Sequence, residues 1–207
     1  MTSPEARTAR IRDQAVVRRT DLRITGGKFG GRKLAAPGDD RVRPTSDKVR
    51  QAIFNILAHQ DLGIALEDAR VADLFAGTGA LGLEAISHGA AFCLFVEDAA
   101  ASRALIHRNI EELGLTGVSK IWRRDATQLG AMAPGADGPF DLVFLDPPYR
   151  KNLVAPALAS LSEGGWLAPG ALLIVETAGD ESLAAERIQI LDTRMYGETT
   201  VSFLRAA

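Results

Sequence analysis

Val71-Ala72-Asp73-Leu74-Phe75-Ala76-Gly77-Thr78-Gly79-Ala80-Leu81-Gly82 runs from an apolar segment directly into a glycine-punctuated one. Residues 71–75 are short, mostly apolar and bounded by glycine, which reads as a buried strand. Gly77, Gly79 and Gly82 keep the G-x-G-x-x-G spacing where that strand gives way to a helix over 80–87. Glycines there let the backbone approach a ligand and let the helix lie close on the sheet. Strand, tight loop and helix in that order open a βαβ unit, so the stretch predicts an α/β fold.

The alternation continues on the C-terminal side. Strands are expected at 92–97, 119–124, 140–145 and 171–176, and helices at 102–113 and 152–161. Ile106, Ile110 and Leu113 form one stripe of the helix at 102–113. Residues 187–195 and 199–204 read as a closing pair of strands around Tyr196-Gly197-Glu198. Their link is too short for a parallel crossover, so they must be antiparallel. The expected fold is a doubly wound, mostly parallel sheet with an antiparallel closing strand.

Glu97 follows Gly77 by 20 residues, at the end of the second strand, where a carboxylate can accept hydrogen bonds from two ribose hydroxyls. This pattern alone does not separate NAD from other adenosine-bearing cofactors. Asp73 narrows the choice, because a carboxylate just ahead of the glycines would repel a pyrophosphate. S-adenosylmethionine carries a sulfonium and an α-amino group and no phosphate, and is the better electrostatic match. Asp125-Ala126, after the third strand, is the expected place for an acceptor to the adenine amino group, and reads equally well as a helix cap.

Asp146-Pro147-Pro148-Tyr149 follows the unbroken apolar strand at 140–145. Ligands of open α/β sheets bind at the carboxyl ends of strands, and Asp146 stands at such an end. Prolines fix φ and present carbonyls without donating hydrogens. A carboxylate and a fixed carbonyl can together accept both N–H bonds of an exocyclic amine and aim its lone pair at an electrophilic methyl. Tyr149 offers a face on which an unstacked base can lie.

The chain has 207 residues, 46% hydrophobic and 24% charged, enough for one domain with a sizeable core. Cys93 is the lone cysteine, which excludes an internal disulfide framework. With only His59, His88 and His107 beside it, no metal site is expected. The histidines are expected on helix surfaces and Cys93 in the core. Apolar runs are too short for a membrane span and no secretory core opens the chain, so a cytoplasmic protein is expected.

Charge is uneven. Residues 1–50 carry 13 Lys and Arg against 6 Asp and Glu, while the other 157 carry 11 against 20. Residues 1–20 read as a basic arm, either solvated or set to neutralise nucleic-acid phosphates. Residues 21–60 form a front extension. It holds a β-hairpin over 22–35, with paired glycines at its turn, and a helix that starts after Pro44 and ends near His59. Val49, Ile53, Ile56 and Leu57 share one face of that helix. Arg23, Lys28, Arg32, Lys33, Arg43 and Arg50 are the candidates for touching RNA phosphates. Residues 61–207 make up the α/β domain.

The segments Asp73–Gly79 and Asp146–Tyr149 resemble those of S-adenosylmethionine-dependent amino methyltransferases acting on nucleic-acid bases. Arg23-Ile24-Thr25-Gly26-Gly27-Lys28, Gly30-Gly31-Arg32, Arg43-Pro44-Thr45 and Val49-Arg50-Gln51-Ala52-Ile53-Phe54-Asn55 are similar to the front end of the bacterial RsmD family. The resemblance covers roughly residues 21–205. It implies a seven-stranded Rossmann-like methyltransferase sheet with an N-terminal hairpin that helps hold RNA. It implies methylation of a guanine 2-amino group in 16S ribosomal RNA, within the 30S subunit or an assembly intermediate. Cofactor contacts are implied at Asp73, Phe75, Ala76, Gly77, Thr78, Gly79, Glu97, Asp98, Asp125 and Ala126. Asp146, Pro147, Pro148 and Tyr149 are implied around the amine. Gln51 departs from the acidic residue expected after Val-Arg, and the arm before residue 20 is longer than the family's usual start. The rival readings are an adenine amino methyltransferase, a non-catalytic RNA-binding factor that keeps the sheet, and an NAD oxidoreductase.

Overall fold

A computed structural model describes residues 22–37, 47–133, 137–179, 181 and 188–206. In chain order its elements are α1 (Asp47–His59), β1 (Arg70–Leu74), α2 (Ala80–Ser87), β2 (Phe92–Val96), α3 (Ala100–Leu113) and β3 (Ser119–Trp122). There follow β4 (Phe140–Leu145), α4 (Val154–Glu163), β5 (Leu167–Ala178), β6 (Ile188–Tyr196) and β7 (Thr199–Ala206). The seven strands form one sheet in the order β3-β2-β1-β4-β5-β7-β6. Strands β1 to β5 pair parallel, and β7 runs antiparallel to both β5 and β6. This is the expected Rossmann-like architecture with an antiparallel closing strand.

The central strands read as continuous apolar runs because both of their faces are covered. Cys93, Phe95, Leu142, Phe144, Leu172 and Ile174 point into one core, shared with α1, α2 and α3. Their sequence neighbours Leu94, Val96, Val143, Leu145, Leu173 and Val175 point into the other, shared with Leu158 and Leu161 of α4. The switch of faces at each residue is the period of two that a strand imposes.

Several boundaries move. β3 stops at Trp122 rather than Arg124, and β5 is longer at both ends than 171–176. α4 begins at Val154 rather than 152 because Arg150 and Asn152 hold left-handed φ angles of 58° and 54°, which a right-handed helix cannot include.

The hairpin expected over 22–35 is reduced to a single antiparallel bridge, Arg23 with Lys33. Ile24 N–H donates to the Arg32 carbonyl and Leu34 N–H to the Leu22 carbonyl, and the chain reverses through a short 3-10 turn at Gly27–Phe29. The first glycine pair serves close approach as much as turning. A Cβ on Gly27 would sit 2.0 Å from the Ser87 carbonyl oxygen, and one on Gly26 2.7 Å from His88 Nε2. The front segment thus lies directly on the end of α2. Leu22, Ile24 and Leu34 belong to the same core as α1 and the sheet.

A buried ion pair fastens this layer. Glu84, fully buried, accepts from Thr25 N–H, Thr25 Oγ1–H and Gly26 N–H at 2.7–2.9 Å. It also accepts from Arg50 Nε at 3.0 Å. Arg50 reaches Asp47 Oδ1 at 2.9 Å and the Arg23 carbonyl as well. Arg50 has no exposed surface, so the expectation that it touches RNA is corrected: its guanidinium holds α1, α2 and the front segment together. His88 also departs from the surface role expected of it, stacking on Phe54 at 5.0 Å between ring centroids. His59 and His107 are exposed, and Cys93 is fully buried. The arm 1–20 and Arg43 lie outside the described residues. Among the described residues no helix is long and apolar enough to cross a membrane.

Candidate active site

Strand register lines up four loops on one edge of the sheet. Leu74 of β1 pairs with Val96 of β2 on one side and Leu145 of β4 on the other, and Val96 pairs with Trp122 of β3. The loops carrying Asp125-Ala126, Glu97-Asp98, Phe75–Gly79 and Asp146–Tyr149 therefore leave the carboxyl ends of adjacent strands. At about 4.8 Å per strand, the row from β3 to β4 spans roughly 14 Å. Strand order runs outward in opposite directions from β1 and β4, and open α/β sheets bind ligands at such a switch point.

The glycine loop is a constrained turn. Gly79 N–H donates to the Ala76 carbonyl at 2.6 Å, and Ala76 N–H to the Val96 carbonyl at 3.2 Å. Phe75 takes a left-handed φ of 59°, an uncommon and strained conformation for a residue with a side chain. Gly77, at φ 55°, has open space where a Cβ would stand, its nearest neighbour being the Phe75 carbonyl oxygen at 3.9 Å. Gly82 does the opposite work. A Cβ there would lie 2.5 Å from both Cys93 Sγ and Phe95, so its absence is what lets α2 rest on β2. Thr78 is buried, and its carbonyl accepts from Asn109 Nδ2 at 3.0 Å.

The carboxylates are fixed by backbone donors. Glu97 accepts from Gly77 N–H at 2.8 Å through Oε2 and from Ala99 N–H at 2.7 Å through Oε1. Arg103 donates to the backbone carbonyls of Glu97 and the exposed Asp98. Asp125 Oδ1 accepts from Thr127 N–H at 2.8 Å and Thr127 Oγ1–H at 2.7 Å, which closes a turn; no helix starts there, so the helix-cap reading is corrected, and Ala126 beside it is buried. Asp73 lies deeper than its position ahead of the glycines suggests. It is 1% exposed, and its Oδ2 accepts from Gly82 N–H at 2.9 Å. Burial pushes its carboxyl well above the usual range. The Gly82 N–H opposes that shift, and repulsion from Asp146 and Glu97 adds to it. Asp73 thus feels the charge of carboxylates from both neighbouring loops.

In the loop after β4, Asp146 and Tyr149 are half-buried, Pro147 is buried and Pro148 exposed. Tyr149 Oη and Thr199 Oγ1 share a hydrogen bond at 3.0 Å. Arg150 N–H donates to Glu181 Oε1 at 2.6 Å, and Ala178 N–H to Glu181 Oε2 at 2.9 Å. The loop is thereby tied to the ends of β5 and β7.

Four of the basic candidates are exposed on the front segment. Arg23 lies 3.6 Å from Asp47, and Lys28 sits over the Phe29 ring. Arg32 donates to the Glu112 carbonyl, and Lys33 is exposed beside it. Sequence reasoning missed Asn109, Thr199 and Glu181. Asn109 had a usable signal, as a polar residue on the apolar stripe of Ile106, Ile110 and Leu113. Its amide exchanges hydrogen bonds with Ala35 N–H and the Ala35 carbonyl while holding Thr78, so it joins the front segment to the glycine loop. Thr199 and Glu181 had none, since both meet the site only through the folded sheet.

Comparison with known proteins follows the same outline. The family described as conserved hypothetical protein 95 matches residues 22–205. Ribosomal RNA small subunit methyltransferase D of Escherichia coli (strain K12) is 39% identical over 163 residues, 78% of this chain and 77% of that protein. YlbH of Bacillus subtilis (strain 168) is 31% identical over 186 residues, 89% of this chain and 98% of that protein. The solved structure of yhhF from Escherichia coli superposes with a TM-score of 0.74 at 31% identity, covering 89% of this chain and 97% of that one.

Proposed function

The chain belongs to the RsmD family, and on that footing we propose that it transfers a methyl group from S-adenosylmethionine to the 2-amino group of a guanine in 16S ribosomal RNA. The substrate is the RNA of the 30S subunit or an assembly intermediate, and the reaction is cytoplasmic. The observation that carries this reading is the row of carboxylates at the switch point, Asp73, Glu97 and Asp146, beside an Asp-Pro-Pro-Tyr loop. Such a row attracts a sulfonium and an α-ammonium and repels the pyrophosphate of NAD. The open side of Gly77 gives the cofactor backbone to lie against.

In this reading Glu97 takes the ribose hydroxyls through the lone pairs that its two N–H donors leave. Asp125 and Ala126, two strands from β1, take the adenine end. Asp98, Phe75, Ala76, Thr78 and Gly79 complete the cradle. Asp73 lies buried beneath it, and a cation alongside favours the ionised form of its carboxyl. When bound, S-adenosylmethionine supplies a methyl group made electrophilic by its sulfonium.

The chain's own work is on the amine. The Asp146 carboxylate and the Pro147 carbonyl accept its two N–H bonds and hold them out of the ring plane, so the nitrogen lone pair is localised rather than shared with the base. Pro147 and Pro148 keep the loop rigid. The Tyr149 ring stacks on the extracted guanine. Asp146 is also the base on hand for the proton the amine must lose. Arg23, Lys28, Arg32, Lys33 and Arg43 bear on RNA phosphates.

Tritium transfer from labelled cofactor is the test. Label enters 30S subunits prepared from cells lacking the enzyme and does not enter duplex DNA. Label confined to DNA adenine overturns the proposal in favour of an adenine amino methyltransferase.

A further inference from the structure

The reacting loop is held from a distant part of the chain. Tyr149 Oη bonds Thr199 Oγ1 at 3.0 Å, and Thr199 is the first residue of β7, 50 positions away. Thr199 is 9% exposed, and its backbone is locked on both sides, paired with Ala178 of β5 and Tyr196 of β6. Its hydroxyl therefore stands at a fixed place in the sheet. The opposite holds for the loop, where two residues after Tyr149, Arg150 and Asn152, take left-handed φ angles outside any regular element. A tyrosine ring on such a loop has rotamers to choose among unless something selects one.

We propose that Thr199 is a positioning residue for methyl transfer, holding the Tyr149 ring in the orientation that receives the base. The inference rests on the proposed amine chemistry and deepens it: the antiparallel closing strands are part of the acceptor apparatus. Glu181 supports the same arrangement, since its carboxylate bridges Arg150 N–H to Ala178 N–H at the end of β5.

The test is a double-mutant cycle in steady-state kinetics with 30S substrate. Thr199→Val removes the hydroxyl and keeps the branched shape that a strand favours. It is expected to lower kcat about fivefold, the factor that one net hydrogen bond amounts to, with KM for S-adenosylmethionine within about twofold of wild type. Tyr149→Phe keeps the ring, breaks the same bond and gives the same loss. The double variant is no slower than either single one. Thr199→Ser, which restores the hydroxyl, restores the rate.

Multiplying losses in the double variant, or full activity in both single variants, overturns the inference. Tyr149→Phe does not touch β7, so a folding defect in Thr199→Val leaves the question decidable from the other side. Wild-type protein without transfer to any RNA overturns the functional reading and this inference with it. Transfer that is indifferent to both substitutions overturns the inference alone.

Discussion

Asp73 is the residue whose environment says most. Burial raises its folded-state pKa, so the carboxyl contributes fully to stability below the usual carboxylate range, and that contribution is lost as pH rises through its raised value. Asp73→Asn removes the loss. Melting temperatures taken from acid to neutral pH should show the variant gaining on wild type as pH rises; parallel curves would refute the assignment. A cation beside Asp73 favours its ionised form, so cofactor affinity rises with pH over the same window, by at most about tenfold per unit for one proton. Calorimetry with S-adenosylmethionine measures this, and Asp73→Asn should flatten it. The positions of Asp73, Glu97 and Asp146 were legible because the first stands inside an apolar strand and the others directly follow one. Arg50 was misread because an arginine in a basic segment looks solvated, and only the fold brings Glu84 against it.

Between elements, the Arg50–Glu84 pair decides how the front segment sits. Both side chains are without exposed surface, and Glu84 serves Thr25, Gly26 and Arg50 together. Glu84→Gln removes the fully buried carboxylate partner of Arg50, leaving it Asp47, and should cost about 1.5–3 kcal/mol in urea denaturation. A loss below about 1 kcal/mol would mean that the pair is replaceable by a neutral amide. Gly82→Ala forces a methyl onto Cys93 and Phe95 and should cost about 1–3 kcal/mol. Strand and helix periodicities were readable because both sheet faces are covered, but element ends were not. α4 starts late because Arg150 and Asn152 turn left-handed, which neither residue type announces. The hairpin shrank to one bridge because Gly26 and Gly27 lie on α2 instead of extending a ribbon.

Along the sequence a basic front precedes an acidic body, and in the fold the carboxylate row lies at the sheet edge while Arg23, Lys28, Arg32 and Lys33 are exposed on the segment that Asn109 ties to the glycine loop. RNA affinity should fall steadily with salt, with a slope that shrinks by roughly one for each of Lys28, Arg32 and Lys33 replaced by Ala. A flat salt response would remove the phosphate-contact role. The proposed reaction depends most on an acceptor loop gripping an exocyclic amine beside a sulfonium donor. Mass spectrometry of nucleosides from unmodified 30S subunits, treated with S-adenosylmethionine and either wild-type or Asp146→Ala protein, tests that directly. The expected result is N2-methylguanosine with wild type and none with the variant, although the variant still binds RNA. A methyl group on adenine, or undiminished product from Asp146→Ala, would contradict it.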